Sequence, residues 1–173
     1  KRPKNIFRKT PQGKRSKRAD GSKQERYRMM WNETKYEPGE LKAVAYDKDG
    51  NIAATEIIKT AGKPDHLVLS ADRTSLSADG EDLAYITVNM ADKDGNVCPM
   101  DSSLVTFKVS GAGHFRASAN GNPCSLDPFQ NPKMHLFSGK LTAIVQSGYK
   151  KGGITFTASG KGVKSATLKF DAQ

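Results

Sequence analysis

The sequence predicts an all-β protein built from antiparallel β-sandwiches. From residue 67 onward, apolar and polar residues alternate with a period of two, which is the period of half-buried strands. Clusters of Gly, Asn, Asp and Pro interrupt these runs at short intervals, and such residues end strands and form turns. After Pro64, no segment carries the apolar stripe of an amphipathic helix.

Residues 65–173 divide into short strands separated by turn residues. The predicted strands are residues 67–69, 86–90, 105–109, 114–118, 141–145, 154–158 and 166–170. This pattern is typical of an immunoglobulin-like β-sandwich, in which two sheets pack face to face. The residues that the alternation places on the inner faces are Ile86, Val88, Val105, Phe107, Val109, Val145, Phe156 and Leu168.

Residues 27–64 predict a partial module of the same kind. Strands are expected at residues 27–31, 41–46 and 52–58, and residues 61–64 are expected to form a linker. The motif Asp-Lys-Asp-Gly-Asn at residues 47–51 recurs at residues 92–96, and Asp-Gly between strands favours a hairpin turn. We therefore expect two tandem immunoglobulin-like β-sandwiches, of which the first is truncated.

The basic charge of the chain is confined to its beginning. The formal net charge is +10, residues 1–28 hold 12 Lys/Arg and 2 Asp/Glu, and residues 29–173 hold 16 of each. Residues 1–26 are interpreted as a basic segment that is poorly ordered or forms a partial strand. No aromatic stacking platform accompanies them, so we expect non-specific polyanion binding and no specific nucleic acid partner.

The composition of the chain gives information about membrane spans and disulfide bonds. The longest apolar runs are only a few residues, which excludes a transmembrane helix. The sequence begins at Lys1 without an initiator Met and reads as a piece of a longer chain, so its missing signal peptide gives no information on compartment. Cys98 and Cys124 lie outside any Cys-x-x-Cys motif; two unpaired thiols are the favoured interpretation, with a disulfide open if the protein is secreted.

No motif in the chain predicts catalysis, a metal site or a cofactor. An EF-hand loop needs Gly at position 6 and Glu at position 12, whereas the repeated motif has Gly at its fourth position and no such Glu. His66, His114 and His135 lack zinc-ligand spacing, and no Ser lies in a Gly-x-Ser-x-Gly elbow. The acidic residues lie mostly in turns, where solvation explains them, and do not suggest the carboxylate pair of a glycosidase.

Four aromatic residues of the first module are candidates for a contact surface: Tyr27, Trp31, Tyr36 and Tyr46. At strand spacing they are able to stack on a sugar ring, or to pack within the core or between domains. The sequence leaves both uses open.

Several stretches in order resemble the C-terminal region of Bacteroides-type β-galactosidases of glycoside hydrolase family 2. Residues 27–32 and 36–47 resemble a segment near the end of those enzymes, and residues 60–64 resemble the junction into their final immunoglobulin-like domain. That domain's pattern Leu-x-Leu-x-Ala-Asp-Arg-x-x-Leu-x-Ala-Asp-Gly-x-Asp-Leu is carried by residues 67–83. The likeness continues through residues 105–111, 120–123 and 137–147.

The resemblance implies a periplasmic or extracellular parent glycosidase whose catalytic glutamates lie in a (β/α)₈ barrel. No residue of this chain matches those glutamates, so the chain itself is expected to be non-catalytic. Its implied partner is the catalytic barrel, which it would support directly or through oligomer contacts. Two alternatives stay open: a carbohydrate-binding module for polysaccharide or oligosaccharide, and an adhesin-like spacer of immunoglobulin domains.

Overall fold

The computed structural model describes residues 35–173 and divides the chain into two compact units, Lys1–Thr60 and Ala61–Gln173. Every regular element within the described residues is a β-strand, which confirms the all-β prediction. The predicted strand at residues 27–31 and the basic segment at residues 1–26 lie outside the described residues. None of the described elements is a helix that is long and apolar enough to cross a membrane.

The described part of the first unit is a two-stranded antiparallel ribbon. Strand β1 (Glu40–Tyr46) pairs with β2 (Ile52–Lys59), close to the strands that the sequence predicts at residues 41–46 and 52–58. At the open end of the ribbon, the backbone N–H of Thr60 donates a hydrogen bond of 2.8 Å to the carbonyl of Gly39. Within residues 35–60 only Val44 is half-buried, and the other side chains are exposed.

The second unit is a β-sandwich of two sheets. One sheet has five strands in the order β4-β11-β10-β6-β8, and the other has four strands in the order β3-β5-β9-β7. In chain order the strands are β3 (His66–Ala71), β4 (Ser75–Leu76), β5 (Leu83–Ala91), β6 (Leu104–Gly111), β7 (Gly113–Ala119), β8 (Lys133–His135), β9 (Lys140–Ser147), β10 (Gly152–Gly160) and β11 (Ala166–Ala172).

One strand-to-strand pairing in the second unit departs from the antiparallel pattern. Strand β4 pairs in parallel with the C-terminal strand β11, through Ser75 opposite Asp171 and Leu76 opposite Ala172. A parallel pair needs a long connection, and most of the sandwich lies between these two strands in the sequence. The second unit therefore starts in one sheet with β3, and the chain then crosses to the edge of the other sheet as β4.

The hydrophobic core lies between the two sheets, as the alternation predicts. The ring of Phe107 on β6 stacks against Phe156 on the neighbouring β10 and, across the sandwich, against Phe115 on β7, with ring centroids 5.8 Å and 5.5 Å apart. Of the residues predicted to face inward, Val109 and Leu168 are half-buried, and the others are buried: Ile86, Val88, Val105, Phe107, Val145 and Phe156.

Candidate functional site

The repeated Asp-Lys-Asp-Gly-Asn motif forms the same tight turn at both of its positions. Asp47 follows β1, and its Oδ1 accepts hydrogen bonds from the backbone N–H groups of Asp49 and Asn51 at 2.9 and 2.8 Å. Asp92 follows β5 and accepts from the equivalent backbone groups at 3.0 and 2.8 Å. Side chains of this type hold turns by replacing a backbone acceptor. The prediction that the motif forms a turn is confirmed.

Asp92 has one partner that Asp47 lacks. Its Oδ2 accepts a 2.7 Å hydrogen bond from the backbone N–H of Gly62, and its side chain is only 3% exposed. This donor, together with Asn96, lowers the pKa of Asp92 from 3.8 to about 2, because hydrogen bonds to a carboxylate favour its charged form. The structure thus attaches Gly62, expected to lie in a linker, to the second unit.

The acidic residues of the Leu67–Leu83 stretch hold the crossing from β3 to β5. Arg73 donates to Asp82 Oδ1 at 3.1 Å, and its Nε lies 3.4 Å from Asp72 Oδ2. The remaining carboxylate oxygens accept backbone N–H groups: Asp72 accepts from Tyr85 at 2.9 Å, and Asp82 accepts from Ser77 at 2.8 Å. The acidic positions of this stretch therefore fix backbone rather than form an open carboxylate pair.

Asp79 continues this network at the next turn. Its Oδ1 accepts the backbone N–H groups of Glu81 at 2.8 Å and Asp82 at 2.9 Å. The Glu81 donor is the main cause that lowers the pKa of Asp79. The turn therefore begins with an anchored carboxylate and leads into β5.

Gly80, at the centre of that turn, lies against the ring of Tyr149. Its backbone has φ +78°, and an added Cβ would lie 2.5, 2.7 and 2.9 Å from Cζ, Cε1 and Cε2 of the tyrosine. Similar distances to three adjacent ring atoms place that position over the ring face. The Gly80 carbonyl accepts a 2.6 Å hydrogen bond from Gln146 Nε2. The positive φ favours glycine here, and a larger residue would displace the ring of Tyr149, which is itself 84% exposed.

Within the described residues, the two histidines whose ring nitrogens have a hydrogen-bond partner both contact aspartates. His135 Nδ1 lies 2.9 Å from Asp127 Oδ2, and the backbone N–H of His135, which donates to the same oxygen, is the main cause that lowers the pKa of Asp127. His66 Nδ1 lies 3.1 Å from Asp65 Oδ2, which also accepts Lys164 Nζ at 2.8 Å. No Ser hydroxyl or Cys thiol of residues 35–173 completes either pair into a nucleophilic triad.

Both cysteines are free thiols, as the favoured interpretation of the sequence holds. Cys98 is buried near the Asp92 turn, and burial raises the pKa of its thiol. Its Sγ lies 3.8 Å from the Gly62 carbonyl. Cys124 is exposed in the loop between β7 and β8. Within residues 35–173, no group of three or more His, Cys, Asp or Glu side chains converges in a way that would hold a metal ion.

The structure places two of the four predicted contact aromatics. Tyr36 is 77% exposed, and its hydroxyl lies 3.1 Å from Thr60 Oγ1 beside the start of β1. Tyr46 is exposed at the other end of β1, next to the turn at residues 47–51. The length of the strand separates them, so these two rings do not share one stacking surface. Tyr27 and Trp31 lie outside the described residues, and the predicted sugar or interdomain contact stays a prediction.

Comparison with known protein families identifies the sandwich. Residues 67–169 match the family described as glycoside hydrolase family 2 C-terminal domain 5. This chain belongs to that family. Residues 9–54 match a second family, a domain of unknown function named DUF4982. The resemblance stated from the sequence motifs is thereby confirmed for the C-terminal domain.

Individual relatives lead to the same family. The chain is 40% identical over 145 residues to the β-galactosidase BoGH2A of Bacteroides ovatus, covering 84% of this chain and 17% of the relative. It is 30% identical over 148 residues to a β-glucuronidase of Formosa agariphila, covering 83% and 15%. A solved glycosyl hydrolase family 2 member from Bacteroides cellulosilyticus superposes with a TM-score of 0.76 at 34% identity, covering 81% and 18%. The chain thus spans less than a fifth of each of these relatives.

Proposed function

We propose that this chain is the non-catalytic C-terminal β-sandwich region of a secreted glycoside hydrolase family 2 glycosidase, of the β-galactosidase type. The observation that carries the proposal is the match of residues 67–169 to the C-terminal domain family. The share of the relatives that the chain covers, less than a fifth, supports the same proposal. The parent would act in the periplasm or outside the cell, and the catalytic barrel would be the partner of this region.

The state of the carboxylates supports a non-catalytic role. A glycosidase needs a carboxylic acid whose pKa is raised and a second carboxylate at a fixed separation across a sugar-binding cleft. Among residues 35–173, every carboxyl group with a resolved pKa shift is shifted downward. These groups are Asp47, Asp65, Asp79, Asp92 and Asp127. Carboxyl groups with lowered pKa values are ionised at neutral pH. They therefore accept hydrogen bonds and do not act as proton donors.

Strand topology supports the immunoglobulin-like description of the sandwich. In constant-type immunoglobulin domains the first, second, fifth and fourth strands form one sheet, and the third, sixth and seventh form the other. Here β3, β5, β9 and β7 form one sheet, and β6, β10 and β11 are neighbours in the other. Strands β4 and β8 are then short additions at the two edges of the second sheet. Such a module suits a supporting or spacing role.

An activity assay tests the proposal directly. The purified chain, incubated with 4-nitrophenyl β-galactoside and 4-nitrophenyl β-glucuronide, should release nitrophenol only at the background rate. Turnover that disappears on replacement of a single Asp or Glu of this chain would overturn the proposal.

A second experiment addresses the supporting role in the parent enzyme. Deletion of residues 61–173 should lower the melting temperature of the parent while leaving turnover by the folded fraction, because the proposed catalytic carboxylates lie elsewhere. A deletion variant that keeps its fold and its melting temperature but loses all turnover would contradict both the non-catalytic and the supporting assignment.

A further inference from the structure

We propose that one end of the outer face of the four-stranded sheet binds a β-linked oligosaccharide. We call the surface formed by Tyr85, His114, Gln146 and Tyr149 the Tyr149 platform. This inference rests on the proposed function, because it gives a glycosidase accessory domain a glycan contact of its own. It differs in place from the Tyr27, Trp31, Tyr36 and Tyr46 surface that the sequence suggests.

The ring of Tyr149 has the arrangement of a stacking platform. Gly80 lies under one face of the ring, and the residue is 84% exposed, so the opposite face is open. The faces of aromatic rings carry a negative quadrupole and attract partially positive hydrogens. A β-linked pyranose with equatorial hydroxyls presents its axial C–H groups on its ring faces. The chemistry of the open tyrosine face therefore fits such a sugar.

The adjoining strands supply polar groups and a second ring. Gln146 on β9 pairs with Leu83 on β5 and with His114 on β7, so these side chains form one row on the outer face. The Nε2 of Gln146 donates a hydrogen bond to the Gly80 carbonyl. Its Oε1 and the exposed His114 ring lie in this row and supply polar groups to the platform.

Tyr85 lies two residues beyond Leu83 on the same face of β5, about 7 Å further along the strand. Its side chain is 44% exposed. The second ring therefore follows the first row along the sheet, which suits a ligand of more than one sugar.

The opposite outer face of the sandwich lacks these features. Along β6, β10 and β11 no outward position carries an aromatic ring: apart from Leu104, the larger side chains there are polar or charged, namely Thr106, Lys108, Ser110, Thr155, Thr157, Thr167, Lys169 and Asp171. Of the two tyrosines of the sandwich, both exposed, Tyr85 lies on β5 of the four-stranded sheet and Tyr149 lies in the loop that follows β9 of the same sheet. A sheet face without a binding role would be expected to carry mostly polar or charged side chains, as the outer face of the five-stranded sheet does.

A protein partner fits this end of the sheet less well than a glycan does. Tyr149 is followed by Lys150 and Lys151, both exposed. The buried centres of protein interfaces are depleted in lysine, because the ammonium group is strongly hydrated. A glycan leaves the lysines in water and uses only the ring face and the polar row.

Calorimetric titration tests the platform on the whole 173-residue chain. The probes are cellohexaose and β-1,4-linked galactohexaose, with the α-linked maltohexaose as a comparison. We expect binding of at least one β-linked probe, a loss of affinity of about tenfold or more in Tyr149→Ala, and near-normal affinity in Tyr149→Phe, which keeps the ring. Phe129→Ala, which removes a 64% exposed ring in the loop between β7 and β8, should bind like the parent chain.

The outcomes separate the platform from the proposed function. Absence of binding to both β-linked probes, or equal losses in Tyr149→Ala and Phe129→Ala, overturns the platform while leaving the non-catalytic role intact. Hydrolysis of a probe during the titration overturns the proposed function instead. Thermal melts of the variants check the fold, which should survive because the substituted rings are exposed.

Discussion

At the residue scale, several aspartate side chains of the sandwich bind its backbone. Asp72, Asp79, Asp82 and Asp92 each accept at least one backbone N–H, and they lie where the chain leaves or enters a strand. A carboxylate used this way satisfies donors that a turn would otherwise leave without partners. The pattern of Asp and Gly that characterises residues 67–83 is therefore explained by chain reversal and requires no ligand.

Phe107 gives the sharpest test of core packing. Its side chain is 4% exposed and stacks on Phe115 and Phe156, so Phe107→Ala should leave a cavity and cost about 3–5 kcal/mol. Lys108→Ala, one residue along and facing outward, should change the unfolding free energy by about 0.5 kcal/mol or less. Denaturant unfolding of both variants measures the difference. Equal losses would mean that the β6 register is off by one residue.

Asp92 should make the stability of the sandwich sensitive to acid. Its pKa in the folded state is about 2, below the ordinary 3.8, so the charged form stabilises the fold above about pH 4. That contribution should disappear as the pH falls from about 4 towards 2. In Asp92→Asn, the fall in denaturation midpoint over this interval should be smaller than in the parent chain, and the midpoint at pH 7 should be lower.

Asp94 provides the matched control for this measurement. It lies in the same turn, and its side chain is exposed, whereas that of Asp92 is buried. Asp94→Asn should follow the acid profile of the parent chain. If Asp92→Asn and Asp94→Asn show the same profile, the Gly62 contact does not govern the acid response.

At the element scale, strand positions and inward faces could be predicted because each depends on a local pattern. Period-two alternation located the long strands of the sandwich, and the Asp-Gly motif located two turns. Strands β4 and β8 could not be found this way, because two or three residues do not define a period. The support of Tyr149 by Gly80 joins residues far apart in sequence, so neither residue alone indicates it.

The β1–β2 ribbon should be the least protected described element. Isolated two-stranded hairpins are marginally stable in water, and the ribbon's described side chains are exposed apart from Val44. Native-state hydrogen exchange should therefore be fast for the β1 and β2 amides and slow for β5 and β9, which lie inside the four-stranded sheet. Protection in β1 equal to that in β5 would show that the ribbon is covered by further chain.

At the scale of the whole molecule, the second unit is stabilised by a core of its own. The second unit has two sheets and one continuous core that runs from Leu67 to Ala172. The described part of the first unit is one two-stranded ribbon. The family matches follow the same division, since one ends at residue 54 and the other begins at residue 67.

Residues 61–173 should therefore fold as an independent domain. All ladder partners of β3 to β11 lie within this range, and so does Gly62, whose N–H anchors Asp92. A chain that starts at Ala61 should unfold in a single cooperative transition. Its midpoint should equal that of the sandwich in the full chain, as measured by near-ultraviolet circular dichroism. A chain that starts at Asp65 keeps every strand but loses the Gly62 donor, so its midpoint should be lower. If the two truncated chains share one unfolding midpoint, and it lies well below that of the full chain, then the first unit stabilises the sandwich and the division at Thr60 is not a folding boundary.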